Sequence, residues 1–366
     1  MTRRKRAAYF QLRADYCGRP FDDGIVKALN AAGYDIDVYA PAGSPCLDPM
    51  PPHVRRFEVE FRRAWLMREL RHRSKWRRYD LFLGNPDLGT AFAAVLARAA
   101  LRPFVNACDE VYVGGYEGLA LRYWKRVARW AARQARFTII TDLVRVELQR
   151  QYAELPRDHR FVPYPSCYAD SYSGRSRADA RASLGLDPGE LALSATGSLT
   201  ESNGAHWLLG MLDWFDGRLL IQPGNRADAV LETLLLRLQR ERRVIYVAER
   251  MSWRQATEVT VAADIAAVFY LSPKWQFQQM GLSSQKLGMS LWLGIPVIAS
   301  RQPSFELVRD FGCGEIIGDG DELPAAIERI RADWPRYSAA ALRTVDEYIQ
   351  PRQKLAALTE AFTSLG

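Results

Sequence analysis

Short apolar runs alternate with helical patterns along almost the whole chain, and this alternation restricts the fold more than any other feature. Residues 7–13 read as a strand, 22–32 as a helix stopped at Gly33, and 35–40 as a second strand. A strand, a helix and a strand in that order form a parallel βαβ unit. The pattern continues with strands at 55–61, 79–83, 104–107, 137–141 and 161–164, and helices at 62–78, 88–100, 119–135 and 142–155. Residues 168–177 (Tyr, Ser, Gly, Asp, Arg) read as a linker. The alternation then restarts, with strands at 191–195, 218–222, 244–247, 265–271, 295–299 and 315–317 and helices at 206–214, 227–240, 253–262 and 322–334. Helical stretches at 339–348 and 353–364 end the chain. The expectation is an α/β protein of two doubly wound, Rossmann-like domains, 1–168 and 178–345, facing each other across a cleft. A helix within 346–366 is expected to pack back on the first domain.

Residues 283–300, SSQKLGMSLWLGIPVIAS, hold the densest chemistry. Ser283 and Ser284 suit a helix N-cap, where a hydroxyl takes up an orphan backbone N–H. Lys286 sits in the first turn, where a cation opposes the helix dipole. An anion bound at the same helix start makes sense of that lysine. Gly294 stops the helix before a buried strand. Gly197, Ser198, Arg250, Met251 and Tyr270 also fall at strand ends of the second domain and join Ser283, Ser284 and Lys286 as candidates for holding a nucleotide. Singly each has an ordinary reading, as a turn or a pocket wall. The first βα loop has no GxGxxG phosphate fingerprint. In the first domain Asp109 ends an apolar strand and is the candidate general base, with capping of the next turn as its structural reading. Glu110 and Glu117 are the alternatives. Glu110 should point the other way from Asp109 if the strand continues.

The net charge of +8 favours anionic partners. Much of it lies in 62–78, where Arg62, Arg63, Arg68 and Arg71 stand beside Trp65 and Trp76. As one helix this segment fits an interfacial membrane contact. Its alternative is a solvated face docked on its own sheet by Trp65. No nucleic-acid motif accompanies the charge. The five cysteines and four histidines are scattered, so neither a disulfide framework nor a metal site is expected. No apolar run reaches the roughly 18–20 residues of a membrane span, and no signal-peptide core is evident. The expected location is cytoplasmic, peripheral on the inner face of the plasma membrane.

The segment AADIAAVFYLSPKWQFQQMGLSSQKLGMSLWLGIPVIAS resembles the donor-binding block of GT-B glycosyltransferases. FTIITDLVRVELQRQY and FVPYPS fall where this fold has a strand–helix and a pre-linker strand. Within the fold the chain is similar to the membrane-associated glucuronosyltransferases of xanthan biosynthesis, through Ser283-Ser284-Gln285-Lys286-Leu287 and Ala107-Cys108-Asp109. The resemblance implies that Lys286 contacts donor phosphate or a sugar carboxylate. It also implies that Asp109 is the base and that Tyr270 and the 249–251 turn line the donor pocket. Many retaining members carry two glutamates where this chain has Gly281 and Met289, which points to an inverting mechanism. The Gly197 turn has Glu201, Ser202 and Asn203 in place of a basic partner. The implied activity moves a sugar from a nucleotide-diphosphate donor to a lipid-linked or saccharide acceptor, in polysaccharide or glycolipid assembly, without metal or other cofactor. A sugar-nucleotide epimerase or hydrolase of the same shape, and a non-catalytic nucleotide-binding protein, are the alternative readings.

Overall fold

A strand that is apolar on both faces needs helices on both sides, and that is the environment of every central strand here. The structure, a computed structural model, describes residues 3–11, 18–44, 46–85, 88–111, 119–223, 229–249 and 251–365. It divides into two compact units, 1–169 with 351–366, and 170–350. The first holds β1 (Lys5–Gln11), β2 (Tyr34–Pro41), β3 (Val54–Val59), β4 (Leu81–Asn85), β5 (Phe104–Cys108), β6 (Thr138–Ile140) and β7 (Phe161–Pro163). They pair in parallel in the order β3-β2-β1-β4-β5-β6-β7. The second holds β8 (Ala192–Thr196), β9 (Arg218–Gln222), β10 (Val244–Tyr246), β11 (Ile265–Val268), β12 (Val297–Ser300) and β13 (Gly314–Ile317). Their order is β10-β9-β8-β11-β12-β13, again all parallel. Both orders reverse direction beside the unit's first strand, between β1 and β4 and between β8 and β11. In open α/β sheets ligands bind at the carboxyl ends of the strands next to such a reversal.

Strand alternation divides the first core into two layers. Tyr9, Ile36, Leu83, Val105 and Ile139 face one way, under the Pro20–Ala31 helix and the final helix, Pro351–Thr363. That final helix contributes Leu358, Ala361 and Phe362, all fully buried, and the Phe362 ring lies 5.8 Å from Phe137. Phe10, Tyr39 and Phe82 face the other way, in one cluster with Phe92 of the Leu88–Ala100 helix. The Leu88–Ala100 helix starts unusually close to the sheet. A β-carbon on Gly84 would lie 2.4 Å from the Gly89 carbonyl oxygen, and one on Gly89 would lie 2.6 Å from that of Phe10. Two side-chain-free positions therefore set how near this helix comes to β1 and β4.

Four expectations need correction. Residues 62–78 do not form one helix. A helix spans Arg63–Arg71, the backbone turns at His72, and Arg73–Arg78 is a 3₁₀ segment. The turn brings Trp76 into the core, inaccessible to solvent, with its ring 5.8 Å from Phe10 and 5.3 Å from Tyr39. Trp76 therefore cannot serve as a membrane or acceptor contact. Trp65 is half-buried and stacks on Phe92. Arg62, Arg63, Arg68 and Arg71 remain exposed. The linker gives way at Arg177 to a helix the strand–helix pattern did not mark, Arg177–Ser183, capped by Ser176. β11 stops at Val268 rather than 271, since Tyr270 N–H donates to the Ser300 hydroxyl instead of a ladder carbonyl. Cys46 is disulfide-bonded, while Cys108, Cys167 and Cys313 carry thiols. Among the described residues no helix is long and apolar enough to cross a membrane.

Truncating Trp76 empties the centre of the aromatic layer. Trp76→Ala should lower unfolding stability by about 3–5 kcal/mol, measured by urea titration. Arg71→Ala on the exposed face should change it by less than about 0.5 kcal/mol.

Candidate functional site

In the second unit the segment 283–300 becomes a cap, a helix and a central strand. Ser284, fully buried, is the N-cap of the Gln285–Trp292 helix, and its hydroxyl accepts from Leu287 N–H at 3.2 Å. The Ile295 N–H donates to the Ser290 carbonyl at 2.9 Å, and Gly294 at φ +70° turns the chain into β12. Next to the cap, the Tyr270 and Ser284 hydroxyls share a hydrogen bond of 3.1 Å. Tyr270 is held from behind by Phe277 and Phe305. Ser283 is buried in the 3₁₀ turn just before the cap.

Lys286 leaves the first turn of this helix and crosses toward the end of β8. Its ammonium lies 5.3 Å from the Tyr270 ring centroid, on the ring face. Gly197 adopts φ +86°, and a β-carbon there would sit 3.3 Å from Lys286 Cε. Only a residue without a side chain combines that backbone with the passing lysine. Lys286 is half-buried. Burial pushes its ammonium down to about 8, and among the described residues no charged neighbour offsets the shift. A cation held under-solvated by the fold, beside a helix N-terminus and a glycine turn, is a place where an anion is stabilised. The carboxyl ends of β8, β11 and β12 thus bring together Gly197, Tyr270, Ser284 and Lys286.

Ser198 is exposed. Met251 is half-buried and packs on the apolar cluster of Ala180, Leu186 and Val259. Arg250 lies outside the described residues. Met289 is 2% exposed and belongs to the interior.

In the first unit Asp109 follows β5 and is 6% exposed. Its carboxylate accepts from Arg19 Nη1 at 3.1 Å. Arg19 also pairs with Asp22 through Nε at 2.6 Å, and Asp22 accepts from the Tyr9 hydroxyl at 2.7 Å and from Gln11 Nε2. Burial pushes the Asp22 carboxyl up, Arg19 opposes it, and Asp109 adds to it. Burial likewise pushes the Tyr9 phenol up. Glu110 turns away from Asp109 and pairs with Arg145 Nη2 at 3.0 Å, while Arg145 Nη1 donates to the Asp109 carbonyl at 3.4 Å. Glu117 lies outside the described residues. Sequence reading did not single out Arg19, Asp22 or Arg145. The available signal was local: Arg19-Pro20 opens a helix with Asp22 in its first turn. Among the described residues no group of three or more His, Cys, Asp or Glu is placed to hold a metal ion.

No family model matches the chain, and no curated protein matches it by sequence. Solved structures do. Sucrose-phosphate synthase from Thermosynechococcus elongatus superposes with TM-score 0.70 at 19% identity, covering 99% of this chain and 97% of that one. HepE from Anabaena, solved with UDP-glucose, gives TM-score 0.71 at 15% identity, covering 98% of each. A glycosyltransferase from Rickettsia africae gives 0.69 at 9% identity, covering 100% of this chain and 99% of that one. At these identities the likeness is one of fold: the chain has the GT-B fold, two Rossmann-like α/β units in sequence.

The state of Lys286 fixes a pH dependence. Its folded value of about 8 lies below the free-lysine value of 10.5, so the unfolded chain binds more protons between those pH values. The cost of holding a charged Lys286 is complete below pH 8 and fades as pH rises toward 10.5. Lys286→Met should therefore stabilise the protein at pH 7, by up to roughly 3 kcal/mol. The gain should vanish near pH 11 in paired thermal denaturations; an equal gain at both pH values would contradict this account.

Proposed function

We propose that this GT-B-fold chain is a glycosyltransferase that takes its sugar from a nucleotide-diphosphate donor. The observation that carries the reading is the Lys286 ammonium, half-buried without a charged partner among the described residues, beside Gly197 and the Ser284-capped helix. A departing nucleoside diphosphate is the anion such a group would neutralise. Preorganised charge of this kind is usually the largest single term in catalysis. Support for a uridine donor comes from the similar HepE structures, solved with UDP-glucose and with UDP. Tyr270 would border the donor beside Lys286.

In this reading Asp109 accepts the proton of the acceptor hydroxyl as its oxygen attacks the anomeric carbon. The C–O bond to the diphosphate breaks on the opposite face, giving inversion. The buried Arg19 favours the ionised carboxylate that a base requires. No metal enters this scheme: the diphosphate charge falls to Lys286 and helix N–H groups. The acceptor would be lipid-linked or saccharide, in polysaccharide or glycolipid assembly. The exposed Arg62, Arg63, Arg68 and Arg71 would hold the first unit against an anionic inner leaflet, each adding about 1 kcal/mol. With Trp76 inside the core, this attraction is electrostatic and salt-sensitive.

A thermal-shift screen of UDP-, GDP- and ADP-sugars tests the donor site. A ligand bound by the folded state alone should raise the melting temperature. If none stabilises the protein and none is turned over, the reading fails. UDP affinity should weaken as pH rises through 8, where Lys286 loses its charge, and Lys286→Met should remove that dependence. Asp109→Asn should lower turnover by about 10²–10⁴-fold while leaving UDP affinity unchanged. Product analysis with donor alone separates transfer from epimerisation and hydrolysis. Replacing Arg62, Arg63, Arg68 and Arg71 with Gln should abolish sedimentation with phosphatidylserine vesicles at low salt.

A further inference from the structure

We propose that Arg19 is a positioning residue, which fixes the Asp109 carboxylate and keeps it ionised, and that Asp22 anchors Arg19 for this task. The inference rests on the reading of Asp109 as general base.

Three features of the first unit carry it. Arg19 precedes Pro20, the first residue of the Pro20–Ala31 helix, so its backbone is held extended at φ −58°, ψ 137°. Its side chain is only 2% exposed, although arginine is rarely buried unless paired. Its planar fork reaches two carboxylates far apart in the chain: Asp22 on its own helix, and Asp109 at the end of β5, 90 residues from Arg19. A guanidinium presents several donors in fixed directions and can hold two partners in register, which a single ammonium cannot.

The two carboxylates differ in how they are held. Asp22 receives the Tyr9 hydroxyl and Gln11 Nε2 besides Arg19, so it is tied to β1 as well as to its own helix. That makes it the fixed end of the bridge. Asp109 lies where β5 gives way to the following loop. Its main-chain carbonyl is gripped by Arg145, which also binds Glu110. Arg19 and Arg145 thus hold Asp109 by its side chain and its backbone, and turn Glu110 aside. The charged and titratable groups of this cluster include Tyr9 on β1, Arg19 and Asp22 at the helix start, Glu110 after β5, Arg145, and the buried Asp48, whose carboxylate lies against Gly18 just before Arg19. Arg19 is a cation paired with both aspartates. Without it two buried carboxylates would share one region, and a proton would settle on one of them well above the usual carboxylate range.

The test is carboxyl-detected carbon NMR on the full chain labelled at aspartate, with the Asp109 signal assigned by its loss in Asp109→Asn. In Arg19→Met the Asp109 titration should move up by about one to three pH units. The acid limb of UDP-glucose turnover should move by the same amount. In Arg19→Lys, which keeps the charge and guards against misfolding of the methionine variant, the midpoint should stay within about half a unit while kcat falls. An unmoved midpoint in Arg19→Met, or Arg19→Lys with wild-type kcat, would overturn the proposal. The NMR measurement uses no substrate. It therefore decides on Arg19 even if Asp109→Asn turns over UDP-glucose like the wild type, the outcome that sinks the base reading instead.

Discussion

Parallel strand pairing is the constraint from which the rest follows. When every strand in a sheet runs the same way, every strand ends at the same edge, and the loops that follow have to share that edge. Gln11, Asn85 and Cys108 end β1, β4 and β5 in this manner, and Thr196, Val268 and Ser300 end β8, β11 and β12. Reversal of strand order beside β1 and β8 opens a space at that edge, because neighbouring connections leave toward opposite faces. Asp109 with Arg19 occupies this position in one unit, and Lys286 with Tyr270 occupies it in the other.

The two sites solve the problem of a buried charge in opposite ways. Around Asp109 each carboxylate meets a guanidinium: Arg19 serves two aspartates, and Arg145 ties Glu110. Such a network fixes the direction of a carboxylate before any ligand arrives. Around Lys286 the described residues supply a ring face and a helix start but no carboxylate, and the lysine is left easier to deprotonate. A site finished in advance suits a group that has to be aimed. An unfinished one suits a group that completes its shell with a ligand.

Local chemistry was legible in the sequence where neighbours in the chain decide the outcome. Ser284 caps its helix, Gly294 ends it, and β9 and the Leu88–Ala100 helix occupy the residues their apolar patterns mark. The alternation of strands and helices was enough for two doubly wound units. What stayed hidden was set by distant partners. Trp76 looked like part of an amphipathic helix because its core contacts, Phe10 and Tyr39, lie far back in the chain. Arg19 looked like a loop residue because Asp109, its partner, is 90 positions away. Gly197 was read as a turn, and its second requirement, room for Lys286, appears only once both strands are in place.

The final helix has a bearing on how the protein is made. Leu358, Ala361 and Phe362 complete the first unit's core beside Phe137, yet they follow the whole second unit in the chain. A ribosome releases domains in order, and most can fold as they emerge. This first unit is left incomplete: until the last helix arrives, part of the apolar face of its sheet stays open through the synthesis of residues 170–350. The unit that is made first is therefore finished last, and a nascent chain stalled before residue 351 would be a client for chaperones rather than a functional half.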